Sequence, residues 1–99
     1  MKKILITRRL LKDCEERASK NFNTKLNSND ELYPQTKLIE LSKGCDGILT
    51  SITDKIDEET INKLSDTVKI ISNFAVGFGN IDLEAAKKRS IIVTNTPDV

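Results

Sequence analysis

Histidine is absent from the 99 residues, and with it the side chain that most often moves protons near neutral pH. Cysteine is scarce: Cys14 and Cys45 stand far apart, with no C-x-x-C spacing. This argues against a zinc site and leaves two reduced, half-buried thiols as the expectation. Long apolar runs are missing too. The start MKKILIT offers only Ile4-Leu5-Ile6 in succession, too little for a signal-peptide core or a membrane span. Neither sign of charge dominates, since 16 basic and 15 acidic side chains leave a net charge of +1. They are interspersed, which speaks against a nucleic-acid footprint or a polybasic membrane patch. A cytoplasmic protein with neither kind of partner is expected. Aromatics make up 4% and all apolar residues 37%, so a single domain with one modest core is the limit. No internal repeat, low-complexity tract, Gly/Ser/Pro-rich linker or Walker sequence occurs.

What is present is an alternation of short apolar runs and helical patterns. Ile4-Leu5-Ile6 reads as a strand, followed by a helix with Leu10, Leu11, Cys14 and Ala18 on one face. Residues 22–26 read as a weak second strand. Pro34 opens a helix carrying Leu38, Ile39 and Leu41, and Gly44 closes it. Residues 46–50 form a third strand. Asp57 caps a helix with Glu58 and Glu59 in its first turn and Ile61, Leu64 and Val68 as its buried stripe. Residues 69–73 make a fourth strand. Asp82 then caps a helix with Ile81 and Ala86 as a staple and Lys87-Lys88-Arg89 at its negative end, before a fifth strand at 91–93. This pattern predicts an α/β fold with a flavodoxin-like, parallel five-stranded sheet of order 2-1-3-4-5. Three of the four helices are expected on one face, with only the first helix on the other. The helix that should follow the fifth strand is missing from the pattern, so the fold is expected to be incomplete; a small domain with an uncovered or dimerised face is the alternative.

The stretch NFAVGFGNIDLEAAKKR carries a Gly-x-Gly between a strand and an acid-led helix. It lacks the third glycine of a dinucleotide fingerprint, and Asp82 stands at the helix start where a pyrophosphate would sit. Dinucleotide binding is not expected there. Two readings of the loop remain: a sharp turn, or a cradle of backbone N–H groups for a small carboxylate with Gly77 allowing close approach. Asp54 and Asp57 suggest a carboxylate pair, but a solvated loop aspartate and an N-cap account for them. Arg8-Arg9 reads as a solvated pair, and Asn80 and Asn95 as residues that hold turns by bonding backbone.

The chain resembles the D-isomer-specific 2-hydroxyacid dehydrogenases through KKILITRRL, GCDGILTSITDKIDEETI and NFAVGFGNIDLEAAKKRSIIVTNTPDV, and most of all their glyoxylate and hydroxypyruvate reductases. The resemblance implies that residues 1–99 are the amino-terminal part of a substrate-binding domain, inactive alone. In the full-length protein NAD or NADP would be bound by a Rossmann domain absent here, the substrate would be a small 2-keto acid, and the enzyme would be a homodimer. The family's nucleotide-binding glycines, arginine, glutamate and histidine are then expected beyond residue 99, and no catalytic residue, coenzyme ligand or metal ligand is assigned within it. What carries over is substrate binding by the backbone of Val76 and Gly77, with Ser51 and Ile52 in the loop after the third strand. Gly79 stands where many relatives have aspartate, and Ser90 where most have a helix-ending glycine. A self-contained flavodoxin-like binding or signalling module is the alternative from another class.

Overall fold

The computed structural model describes residues 2–8, 12–27, 29–51, 54–74 and 80–95. Strands β1 (Lys3–Ile6), β2 (Asn23–Lys25), β3 (Gly47–Ser51), β4 (Ile70–Phe74) and β5 (Ile92–Asn95) alternate with helices α1 (Lys12–Asn21), α2 (Gln35–Leu41), α3 (Glu58–Lys63) and α4 (Leu83–Lys88). Every pairing is parallel and the order is β2-β1-β3-β4-β5, as the alternation predicts.

Side chains alternate across a pleated sheet, so each apolar strand serves two faces. Leu5, Ile48 and Ile71 point to one face and join Leu38 of α2, Ile61 of α3 and Ala85 and Ala86 of α4 in the buried core. Leu64 and Val68 also belong to that core, although α3 ends before both of them. Arg89 secures the end of α3: its Nη1 donates to the carbonyl of Leu64 at 2.8 Å and its Nη2 to Asp66 at 2.7 Å. The cation thus serves the neighbouring helix as well as the end of its own.

The opposite face is open among the described residues. Ile4, Ile6, Leu49 and Ile70 line a groove of about 520 Å³ flanked by Ala18 and Phe22. Its floor is Gly47, where a Cβ would come within 2.8 Å of Ile70 Cγ2 and 3.1 Å of Ile4 Cδ1. On β5, Ile92 is 63% exposed. α1 buries none of its residues; of its expected apolar face Ala18 is half-buried, and Leu10 and Leu11 lie outside the described residues. Its sequence KDCEERASKN is mostly charged and polar, which suits solvent better than a sheet. Cys14 is correspondingly exposed, whereas Cys45 is fully buried; the half-buried pair foreseen from sequence is one of each. Burial pushes the Cys45 thiol up, which keeps it protonated and unreactive.

Local chemistry sets the helix ends. Pro34 stands at the N-cap of α2 without a side-chain cap bond. Asp57 accepts from the backbone of Thr60 at 2.9 Å and from its hydroxyl at 2.7 Å, and Asp82 accepts from the backbone of Ala85 at 3.0 Å. Gly44, at φ +77°, turns the chain out of the segment after α2. Ser90 holds the same left-handed region after α4 at φ +58°, where a Cβ crowds the backbone.

The bond from the Thr60 backbone, followed by that from its hydroxyl, holds the Asp57 carboxyl below the usual carboxylate range. A carboxylate depressed in the folded state adds stability at pH values above its unfolded pKa and loses it as pH falls through the folded one. The melting-temperature difference between the parent protein and Asp57→Ala should therefore be constant near neutrality and shrink below about pH 4. Ser90→Gly should raise stability by about 1 kcal/mol by relieving the left-handed strain, read from a thermal melt. The open face generates a third expectation. Residues 1–99 alone should bind a hydrophobic dye or self-associate, since about 25 cal/mol is lost for each Å² of apolar surface left wet. A monodisperse monomer with a cooperative melt and no dye binding would be the contrary result.

Candidate functional site

Parallel pairing brings the carboxyl ends of all five strands to one edge, where open α/β sheets place their ligands. At this edge the core-facing rows turn from apolar to polar. Thr7 continues the row of Leu5, Thr50 that of Ile48 and Asn73 that of Ile71, and all three are buried. Ile6 pairs with Leu49 and Thr50 with Asn73, so the three polar residues stand side by side. Here the backbone leaves the ladder, and buried main-chain groups must find side-chain partners.

Asp54 and Asn80 supply many of those partners. Asp54 is 1% exposed. Its Oδ2 accepts from the hydroxyl of Thr7 and, at 3.0 Å, from the backbone N–H of Ser51. The backbone N–H of Asp54 in turn donates to the carbonyl of Ser51 at 3.0 Å. Asn80 Nδ2 donates to the carbonyls of Ser51 at 2.9 Å and Asp54 at 2.8 Å, while its Oδ1 accepts from Asn73 Nδ2 at 2.8 Å. Thr50 donates to Asn73 Oδ1 at 3.0 Å. A short parallel bridge between Ile56 and Ile81 extends the seam, with Ile56 N donating to Asn80 O at 2.8 Å and Asp82 N to Ile56 O at 2.9 Å. On the other flank, Asn27 Nδ2 donates to the carbonyl of Thr7 at 2.8 Å.

Of the four residues assigned to substrate binding, Ser51 closes β3 at this edge, with its N–H engaged by Asp54 and its carbonyl by Asn80. Ile52, Val76 and Gly77 lie outside the described residues, as does Gly79. Asn80 bonds backbone as its type suggested; the side chain of Asn95 lies outside the description.

Asp54 requires a correction, because it is a buried hub rather than a solvated loop residue, and its Oδ1 has no hydrogen-bond partner among the described residues. Asp57 is the N-cap and forms no pair with it. Arg8 is more than a solvated charge: its Nε meets Asp30 Oδ1 at 2.8 Å. That hydrogen bond is the main cause raising the Arg8 pKa, with smaller attractions to Asp30 and Asp54. Arg9 lies outside the described residues. Thr7, Thr50 and Asn73 were not singled out from sequence. Their signal was available, as each directly follows the run ILI, GIL or IIS.

Among the described residues, no three His, Cys, Asp or Glu side chains gather as metal ligands. No helix is long and apolar enough to cross a membrane. Nor do these residues fit a dinucleotide: the N-terminus of α4 is already occupied by the Asp82 carboxylate. What the edge does provide is a hydrogen-bonded polar frame of Thr7, Thr50, Ser51, Asp54, Asn73 and Asn80.

Comparison with known proteins gives a consistent picture. The family described as D-isomer specific 2-hydroxyacid dehydrogenase, catalytic domain, matches residues 4–99. The chain is 35% identical over 97 residues to the glyoxylate reductase of Pyrococcus furiosus, covering 98% of this chain and 29% of that protein. It is 34% identical over 96 residues to the glycerate dehydrogenase of Hyphomicrobium methylovorum, covering 97% of this chain and 30% of that one. Among solved structures, a D-isomer specific 2-hydroxyacid dehydrogenase, NAD-binding, from Polaromonas sp. JS6 66 superposes with a TM-score of 0.94 at 28% identity, covering 99% of this chain and 31% of that one. The chain therefore spans about three-tenths of the length of these relatives.

Proposed function

The chain belongs to the D-isomer specific 2-hydroxyacid dehydrogenase family, and from that premise we propose that residues 1–99 are the amino-terminal part of the substrate-binding domain of an NAD(P)-dependent 2-keto acid reductase. Glyoxylate or hydroxypyruvate is the proposed substrate, and a cytoplasmic homodimer the proposed full-length form. The observation that carries this reading is the polar frame at the carboxyl edge, which anchors Ser51 at the base of one loop and Asn80 at the base of the other. Family membership itself implies NAD(P)-dependent chemistry on 2-keto acids.

In this reading the backbone N–H groups of Val76 and Gly77, with Ser51 and Ile52 beside them, receive the substrate carboxylate. Backbone donors suit that task because they carry no rotamer freedom and hold a carboxylate in a fixed orientation, which is the proximity contribution to catalysis. The coenzyme and the groups that move the proton belong to parts of the full-length protein outside residues 1–99. These residues bind and orient; they do not transfer hydride.

The test uses the full-length enzyme. Gly77→Val places a branched side chain against the carboxylate and should lower kcat/KM for glyoxylate or hydroxypyruvate by about one to two orders of magnitude, as expected for loss of a charge-assisted hydrogen bond. NAD(P)H affinity should hardly change. Gly79→Ala serves as the control for the turn and should cost less. Intact kcat/KM in Gly77→Val, or an equal loss of coenzyme and substrate binding, would contradict the carboxylate role.

A further inference from the structure

We propose that Asp54 and Asn80 act together as a positioning clamp that sets the ends of β3 and β4, at Ser51 and Asn73, relative to Asp54 and Asn80; this rests on the carboxylate reading above. Each residue closes a loop at its base. Asp54 Oδ2 and the Asp54 N–H bind the N–H and carbonyl of Ser51, so the ends of the 52–53 segment are tied together. Asn73 Nδ2 donates to Asn80 Oδ1 at 2.8 Å, which ties the two sides of the 74–79 segment in the same manner. The two closures are then joined by one amide group. Asn80 Nδ2 donates to Ser51 O at 2.9 Å and to Asp54 O at 2.8 Å, so neither loop base can shift without breaking bonds to the other.

The arrangement exceeds what the turns alone require. Asp54 is fully buried although its Oδ1 has no hydrogen-bond partner among the described residues, a costly choice for a residue that only rounds a corner. Through Thr7, 47 positions away in the chain, it also fixes the β3 loop to the end of β1. A site built from backbone donors has no side chain to adjust, so its accuracy depends on where the backbone is held. The clamp holds Ser51, Asp54, Asn73 and Asn80 at once. Neither Asp54 nor Asn80 needs to touch the substrate.

The full-length enzyme again provides the test, through KM for the keto acid, kcat and NAD(P)H affinity. Asn80→Ala and Asp54→Ala should each raise KM by about tenfold, the double variant should exceed the single ones by no more than about threefold, and NAD(P)H affinity should not change. Asp54→Asn should recover most of the loss, since its amide oxygen can still accept from Thr7 and Ser51 while its NH2 takes the place of the unpartnered Oδ1. Should Asp54→Ala give no folded protein, Thr7→Val removes only the hydroxyl donated to Asp54 and carries the same expectation. The clamp is overturned if KM is unchanged in Asn80→Ala while Gly77→Val raises it, an outcome that leaves the carboxylate reading standing. It is equally overturned if the single effects multiply in the double variant, or if coenzyme affinity falls with substrate affinity. Unchanged KM in all variants, Gly77→Val included, defeats both ideas.

Discussion

A parallel sheet delivers every strand to the same edge, and there each backbone must leave its ladder while still partly buried. That constraint organises the rest of the molecule. Unpaired main-chain groups in a low-dielectric interior are costly, so the edge cannot remain apolar even though the rows beneath it are. Thr7, Thr50 and Asn73 are the outcome, and Asp54 is buried beside them with its Oδ2 held by two donors. Polarity here is a structural necessity.

The two faces of the sheet meet different demands. Leu5, Ile48 and Ile71 are sealed by three helices, whereas Ile4, Leu49 and Ile70 face a groove with Gly47 at its floor. The glycine lets Ile4 and Ile70 converge over β3, so the open face is concave where a larger residue would have filled it. Ile92, at 63% exposure, continues the apolar surface across β5.

Features governed by near neighbours were the most legible. Asp57 and Asp82 announce their helices because a cap acts within three residues, and both accept the bonds their positions imply. The strand order followed from the alternation of short apolar runs with helices, and the left-handed turn at Ser90 agrees with the helix-ending glycine that most relatives have there. Depth was less legible. Asp54 looks like any loop aspartate until the fold brings Thr7 against it. Ser51 could be placed after the third strand through the family resemblance, and Asn80 as a residue that bonds backbone from its type. Their linkage through Asp54 could not, because it depends on contacts between β1, β3 and β4.

The strand order also has a consequence for how the molecule comes into being. Within residues 1–99 β1 precedes the other strands, yet it sits inside the sheet, and its partner β3 begins only at Gly47. As the chain emerges from the ribosome, Ile4-Leu5-Ile6 must therefore wait with only the three-residue edge strand β2 to pair with until β3 is made. Parallel pairings close large loops before they gain contacts, which makes them slow to form. The basic pair Lys2-Lys3 lies directly beside this waiting segment, and like-charged neighbours of that kind discourage association between nascent chains.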